Sequence, residues 1–188
     1  MGSVQVMAEG ERIQRMIYAW LDRATKIPWG VIDPPSVDIS RAPIEIKMLC
    51  AFDAIEYNIS NGGWAQFLWN CFDDWRGLIE VAREGCRLIG ATDQCAALDR
   101  LQAVCAEHER ECDALQSRAE TERDLDNRYF AKFTAGRFHE WERQFWSDCG
   151  LYEKRLAWLA ANEQRVRRAL RHPLPRAATR LTEDKLSK

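Results

Sequence analysis

A chain of 188 residues with a formal net charge of −2 is long enough to bury a hydrophobic core within one domain. Hydrophobic residues make up 46% and charged residues 30%, and no apolar run approaches the ~18–20 residues of a membrane-spanning helix. The seven cysteines are an odd number without a C-x-x-C pair, which is typical of reduced thiols. These features predict a cytoplasmic protein without a membrane span or a disulfide framework.

Helical periodicity dominates the chain, and no stretch alternates with the period of a strand. Apolar residues spaced three and four apart predict a first helix over 9–24, followed by a loop rich in proline and glycine. A second helix is expected over 40–60, with Ser40 as its N-cap and Pro43 in its first turn.

Three longer helices are predicted further along. The first covers 74–90 and ends at Gly90, which suits a left-handed C-terminal residue. The next covers 92–118, and the last covers 151–170. The prediction is an all-α, single-domain, multi-helix bundle over residues 1–170, with a mobile basic tail over 171–188.

The bundle is expected to be organised around the stretch 61–70, which contains a pair of glycines followed by apolar residues. Gly62 and Gly63 interrupt one helix, and the chain restarts at once as a short helix. Trp64, Phe67 and Leu68 share a face of it, and the opposite side is apolar too. We therefore predict a central helical hairpin in which this short helix is buried.

Gln66 and Asn70 are the polar exceptions in that short helix. They are four residues apart and lie on one strip of the surface. Buried amides need hydrogen-bond partners, and the backbone of the glycine turn or of the preceding loop is the expected one. A small-molecule site at these two amides is the alternative.

The same stretch resembles the bacterial DNA-mimic protein family, a group of small helical proteins. The hallmark of that family reads NGG-aromatic-x-Q-aromatic-x-x-N, and a weaker echo lies at 125–130. One departure is Asn58, where the family usually places a carboxylate. The resemblance implies a helical protein whose carboxylates imitate DNA phosphates before a DNA-binding partner. The matching residues are Asn61, Gly62, Gly63, Trp64, Gln66, Phe67 and Asn70.

The charge is unevenly distributed. Residues 61–126 carry 7 basic and 14 acidic side chains, whereas residues 127–188 carry 14 basic and 7 acidic ones. Such asymmetry favours an interaction surface or docking between oppositely charged halves, although an acidic run is also typical of a solvated helix face. The candidate interaction surface consists of Glu107, Glu109, Glu111, Asp113, Glu120, Glu122 and Asp124.

No catalytic or metal motif is complete. His139 and Glu140 begin like H-E-x-x-H, but residue 143 is arginine rather than the second histidine. Cys105, His108 and Cys112 share a helix face and offer three zinc ligands, whereas their heptad spacing equally fits a buried seam. We therefore expect no metal, no cofactor and no enzymatic activity.

The function predicted from the sequence is binding to another protein. The partner is expected to be a DNA-binding or defence protein that is inhibited by charge display or DNA mimicry. An immunity or anti-defence protein that plugs a partner's active surface is a second form of the same class. An enzyme or small-molecule binder with a pocket near Gln66 and Asn70 is the alternative from another class. Direct binding to nucleic acid or membrane is not expected, and a homodimer is compatible with this prediction.

Overall fold

The computed structural model describes residues 3–25, 42–118, 122–133, 140–143 and 150–171. Within these ranges the chain forms helices and no strand, which confirms the all-α prediction. The predicted tail over 172–188 and the proposed cap Ser40 lie outside the described residues. The helices are α1 (Ser3–Thr25), α2 (Ile44–Asn70), α3 (Trp75–Ile89), α4 (Thr92–Gln116), α5 (Glu122–Phe133), α6 (Glu140–Arg143), α7 (Leu151–Ala161) and α8 (Glu163–Ala169).

Helix α2 is the centre of the fold. It contacts α3, α4, α5, α6 and α8, and both of its ends and its middle are lined by buried residues. A helix with apolar side chains on all sides is stable only when other helices cover it on all sides, because otherwise part of its apolar surface would be exposed to water. Phe52, Ile55, Phe67 and Leu68 are fully buried in it.

Helices α3 and α4 form a pair beside α2, joined by a two-residue connection. Gly90 has a φ of 72°, in the left-handed region where glycine carries no steric penalty, and it ends α3 as the sequence predicts. The N–H of Ala91 donates to the carbonyl of Cys86 at 2.8 Å. The N–H of Gly90 also donates to the carbonyl of Arg87. These two bonds satisfy carbonyls in the last turn of α3, and α4 begins two residues after α3 ends.

Helix α1 docks mainly against α7. Gly10 is buried where the two helices meet, and a methyl group at this position would lie 2.3 Å from the carbonyl oxygen of Leu156. Ile13, Ile17 and Leu21 continue the same face and are fully buried. A side chain at residue 10 would therefore force α1 away from α7.

A buried ionic cluster joins α1, α2 and α7. The hydroxyl of Tyr18 donates to Asp53 at 2.8 Å, and Nη1 of Arg155 lies 3.5 Å from Asp53 and 3.3 Å from Glu56. Burial raises the pKa of Glu56, and the charge of Arg155 offsets this only in part. Because two carboxylates lie beside the guanidinium, the buried positive charge of Arg155 is compensated.

Three element boundaries differ from the sequence prediction, and the first is the start of α1 at Ser3 rather than at residue 9. Pro43 precedes α2 at its N-cap position instead of lying in its first turn. The last helix is divided at Asn162, whose side-chain amide donates to the carbonyl of Trp158 at 2.8 Å. Asparagine competes in this way for helical carbonyls, which favours a break. Among the described helices, none combines the length and apolarity that crossing a bilayer would require.

Candidate functional site

The break at the two glycines is a kink within α2. Gly63 has φ 69° and ψ −162°, a conformation nearly restricted to glycine, whereas the φ of −159° at Gly62 is ordinary extended backbone. The kink frees the N–H of Trp64 from its helical acceptor. The carboxylate of Glu142 on α6 accepts that N–H at 2.7 Å, and Glu142 is 2% exposed. The restarted helix is thus capped by a residue 78 positions away.

A pair of asparagines connects the two sides of the kink. Asn58, before the kink, is fully buried and accepts a hydrogen bond from the amide of Asn70, after it, at 2.8 Å. The amide of Asn58 donates to the carbonyl of Ala54 at 2.8 Å and lies 3.6 Å from the sulfur of Cys71. A carboxylate at position 58 would accept the same bond from Asn70, so the departure from the family pattern keeps this contact.

Gln66 and Asn70 are both partly buried, and the amide of Asn70 is bonded within the kink. The amide nitrogen of Asn70 donates to a side chain on the opposite side of the kink, and the preceding loop, one of the two predicted backbone partners, lies outside the described residues. Gln66 lies over the glycines, where a methyl group at Gly62 would meet its Oε1 at 2.4 Å. Asn61 is exposed and donates to the carbonyl of Tyr57 at 2.8 Å. The hallmark residues thus build the kink.

The short helix after the kink is buried, as predicted. Trp64 is 5% exposed, and Phe67 and Leu68 are fully buried. The indole of Trp64 stacks on the imidazole of His108 with ring centroids 4.8 Å apart, and Phe133 closes the group edge-on at 5.1 Å. These contacts hold α4 and α5 against the kink. They also fix the orientation of α4, which carries the acidic residues, about its own axis.

One flank of α4 faces α3. Glu109 there forms a two-pronged ion pair with Arg76, in which Nη2 donates to Oε2 at 2.7 Å, and it also accepts the indole N–H of Trp75 at 3.3 Å. The hydrogen bond from Arg76 lowers the pKa of Glu109. The guanidinium lies 4.1 Å from the centre of the Trp75 ring. Glu109 is therefore engaged within the protein.

The other flank of α4 faces α5. Glu111 there pairs with Lys132, and its second oxygen lies 3.9 Å from Nδ1 of His108. At 100° per residue, Glu107 and Glu111 share this flank, whereas Glu109 and Asp113 share the one toward α3. The four predicted surface residues on α4 thus form two rows on different sides of the helix.

Exposure differs within these rows. Glu107 and Asp113 are exposed, and neither has an ion-pair partner in the part of the chain that the structure describes. Glu109 and Glu111 are partly exposed at 30% and 38% of their side-chain surface. Glu120 and the side chains of Glu122 and Asp124 lie outside the described residues.

The three-ligand zinc arrangement is not assembled. Within the described ranges, no group of three or more histidine, cysteine or acidic side chains is placed to hold a metal ion. Cys105 and Cys112 are fully buried, and His108 stacks on Trp64. Burial raises the pKa of both thiols, that of Cys112 to about 11, which opposes the thiolate form that binds metal.

Two important side chains were not singled out by the sequence. Glu142 lies within the incomplete H-E-x-x-H stretch at one of its unspecified positions, and Asn58 is a departure from a family pattern. A weak signal for Asn58 is its place among apolar residues, since a lone amide there must be satisfied internally. Glu142 carries no such signal, because its partner is 78 positions distant.

The kink, the aromatic stack and the acidic helix all fall within one matched segment. Residues 40–162 match the family model described as DMP19-like protein, and this is well over half of the chain. Helices α1 and α8 lie outside the matched segment. Among the curated proteins and the solved structures, nothing matches significantly. The chain therefore belongs to the DMP19-like protein family, a family of the DNA-mimic type.

Proposed function

We propose that this chain is a non-enzymatic protein that binds a basic, DNA-binding protein by imitating DNA. The observation that carries the proposal is family membership over residues 40–162, a segment that includes the acidic helix α4. A groove that binds DNA gains affinity by neutralising negative charge, and carboxylates on a helix offer that charge as phosphates do.

The axial spacing of charge on α4 supports this proposal. Glu107, Glu109, Glu111 and Asp113 follow one another at two-residue steps. With a rise of about 1.5 Å per residue, one carboxylate occurs every ~3 Å along the helix axis. A single DNA strand carries one phosphate every ~3.4 Å along its axis. The two flanks of α4 together approach the axial charge spacing of one strand, and each flank alone presents one carboxylate every ~6 Å.

The working charge is concentrated on the exposed members of the two rows. Arg76 and Lys132 already neutralise Glu109 and Glu111, so a partner would have to compete for these two carboxylates. Glu107 and Asp113 are exposed and are the first residues that an approaching basic protein would meet. Binding should therefore depend mainly on these two and should weaken as salt screens them over ~8–10 Å.

The anti-defence function is a variant of the same proposal, in which the basic partner belongs to a defence system. The pocket function at Gln66 and Asn70 lacks a supporting observation, because the amide of Asn70 is bonded to Asn58 and Gln66 lies over Gly62. Charge display and a small-molecule pocket differ in their response to salt, which separates them by experiment.

The test is competition with DNA. Proteins from a bacterial extract are loaded on immobilised duplex DNA, and the purified chain is added at about 50 mM and about 200 mM salt. The chain should release a defined basic protein at low salt and less of it at high salt. Replacing Glu107 by Gln together with Asp113 by Asn should weaken this competition by roughly 2- to 30-fold, since exposed charge pairs contribute ~0.2–1 kcal/mol each.

A matched control removes two charges elsewhere. Glu11→Gln with Glu153→Gln changes the net charge by the same amount on α1 and α7, away from α4. This variant should compete like the parent. Equal competition by the parent, the α4 variant and the control would refute DNA mimicry through α4, and so would a failure to release any protein at low salt.

A further inference from the structure

His108 lies between the kink and the acidic residues of α4. Its imidazole stacks on the indole of Trp64 with the ring planes 22° apart, and the centroid of the Phe133 ring is 4.9 Å away. On the acidic side, Nδ1 of His108 lies 3.9 Å from Oε2 of Glu111, and 27% of the histidine side chain is exposed. The ring therefore contacts both the buried kink and the acidic surface, and protons from solvent can reach it.

Two carboxylates and one ammonium group set the charge of the flank beside His108. Glu107 and Glu111 share this flank, and Lys132 from α5 pairs with Glu111. Arg128, whose side chain is exposed, lies one turn before Lys132 and is therefore ~6 Å farther along α5. While His108 is neutral, the two carboxylates and Lys132 leave one net negative charge next to the ring. An imidazolium would bring this charge to zero.

The opposite side of the ring is formed by α2 and α6. The carboxylate of Glu142 on α6 is buried and accepts the backbone N–H of Trp64, so this acidic group is already engaged. The face of an indole ring attracts cations. The stack on Trp64 therefore accommodates a protonated imidazole as well as a neutral one.

We propose that His108 is a proton sensor for the acidic flank of α4, a residue whose protonation weakens the binding of a basic partner. The inference rests on the proposed binding of a basic protein by this helix. Histidine is the side chain whose charge ordinarily changes between pH 5 and 8. When His108 takes up a proton, the imidazolium faces Glu111 and lies on the indole of Trp64, and the flank loses its net negative charge. A basic partner is then bound less tightly in mildly acidic solution.

The first experiment needs no partner. In the full-length chain, the NMR signals of the Glu111 carboxyl carbon and of the Trp64 indole N–H are followed from about pH 8 to about pH 5.5. Both signals should shift together with those of the His108 ring, and these shifts should disappear in His108→Gln. A Glu111 signal that does not follow the His108 ring, or that shifts in the same way in His108→Gln, would overturn the proposal.

The second experiment repeats the competition with immobilised duplex DNA at about 50 mM salt, at about pH 8 and about pH 5.5. Acid also acts on the partner, but it does so equally for the parent and for His108→Gln. The effect of His108 is therefore the difference between these two chains. Relative to His108→Gln, the concentration of the parent needed for half-maximal release should rise roughly 1.5- to 5-fold from the higher to the lower pH, as expected for one exposed charge pair.

Two further variants serve as controls. His108→Arg carries a permanent charge on a planar group that also stacks on aromatic rings, so at pH 8 it should compete as weakly as the parent does at pH 5.5. His172→Gln removes a different histidine, outside α4, and should keep the pH dependence of the parent. Thermal unfolding at both pH values verifies that each variant is folded in the assay.

Failure of the sensor and failure of DNA mimicry give different results. If the parent releases no protein at either pH, DNA mimicry is refuted, and the regulation inferred from it is refuted with it. If the parent releases the protein but His108→Gln shows the same pH dependence, DNA mimicry stands and proton sensing by His108 is refuted.

Discussion

Replacing Gly63 by alanine tests the kink directly. Its φ of 69° and ψ of −162° lie in a region that residues with a Cβ almost never enter, and such conformations cost on the order of 1–3 kcal/mol. If the backbone relaxes toward a helical conformation instead, the N–H of Trp64 moves away from Glu142. The chain then loses a hydrogen bond to a charged group, a contribution of about 1.5–3 kcal/mol. Either way, we expect a loss of roughly 1–3 kcal/mol.

The measurement is thermal and urea unfolding of matched variants. For a chain of this length, a loss of 1 kcal/mol lowers Tm by about 2–4 °C, so Gly63→Ala should melt roughly 2–12 °C below the parent. Gly90→Ala is a control with positive φ, open space around it and an expected cost of about 1–2 kcal/mol. Gly77→Ala is a control without positive φ, in which only the side chain of Asp74 must move.

A double-mutant cycle distinguishes strain from loss of the cap. If alanine at residue 63 already breaks the bond to Glu142, then Gly63→Ala with Glu142→Ala should cost less than the sum of the two single changes by at least ~0.5 kcal/mol. Additive costs would assign the loss to backbone strain alone. A Gly63→Ala protein with the Tm of Gly77→Ala would refute the reasoning altogether.

Three further predictions follow from the core and its titratable groups. Trp64→Ala should destabilise the protein by about 3–5 kcal/mol in urea unfolding, as loss of a buried tryptophan does, and an unchanged midpoint would place the indole in solvent. Burial raises the pKa of Glu56 in the folded state above its unfolded value of 4.5, so near and above pH 4.5 the folded state holds this proton more tightly than the unfolded state. The free energy of unfolding should therefore fall as pH rises from 4.5 to the raised pKa of Glu56. Glu56→Gln should flatten this dependence, and an unaltered slope would contradict the assignment. Metal analysis of the purified protein should find no stoichiometric zinc, whereas one zinc per chain that is lost on Cys105→Ser would restore the three-ligand site.

Periodicity identified the main helical segments because burial leaves a local pattern. Trp64, Phe67 and Leu68 could be predicted as buried, since a short helix that is apolar on all sides must be covered. The sequence predicted a break at Gly62 and Gly63 and a helix end at Gly90, because only a residue without Cβ adopts positive φ at little cost. These features depend on neighbours along the chain.

The partners of the polar groups could not be predicted in the same way. The sequence grouped Glu109 and Asp113 with Glu107 and Glu111 as one acidic surface, but rotation about α4 separates them into two rows. Whether Glu109 is available depends on Arg76, which is 33 positions away.

The amino-acid sequence by itself determined the all-α class, the buried short helix and the position of the kink. Only the tertiary structure decided that Glu142 caps Trp64 and that Asn58 holds Asn70. The physical reason is that burial of apolar surface is non-directional and is satisfied by any cover. A buried hydrogen bond needs one donor and one acceptor in a defined geometry, and that geometry exists only once distant helices have packed.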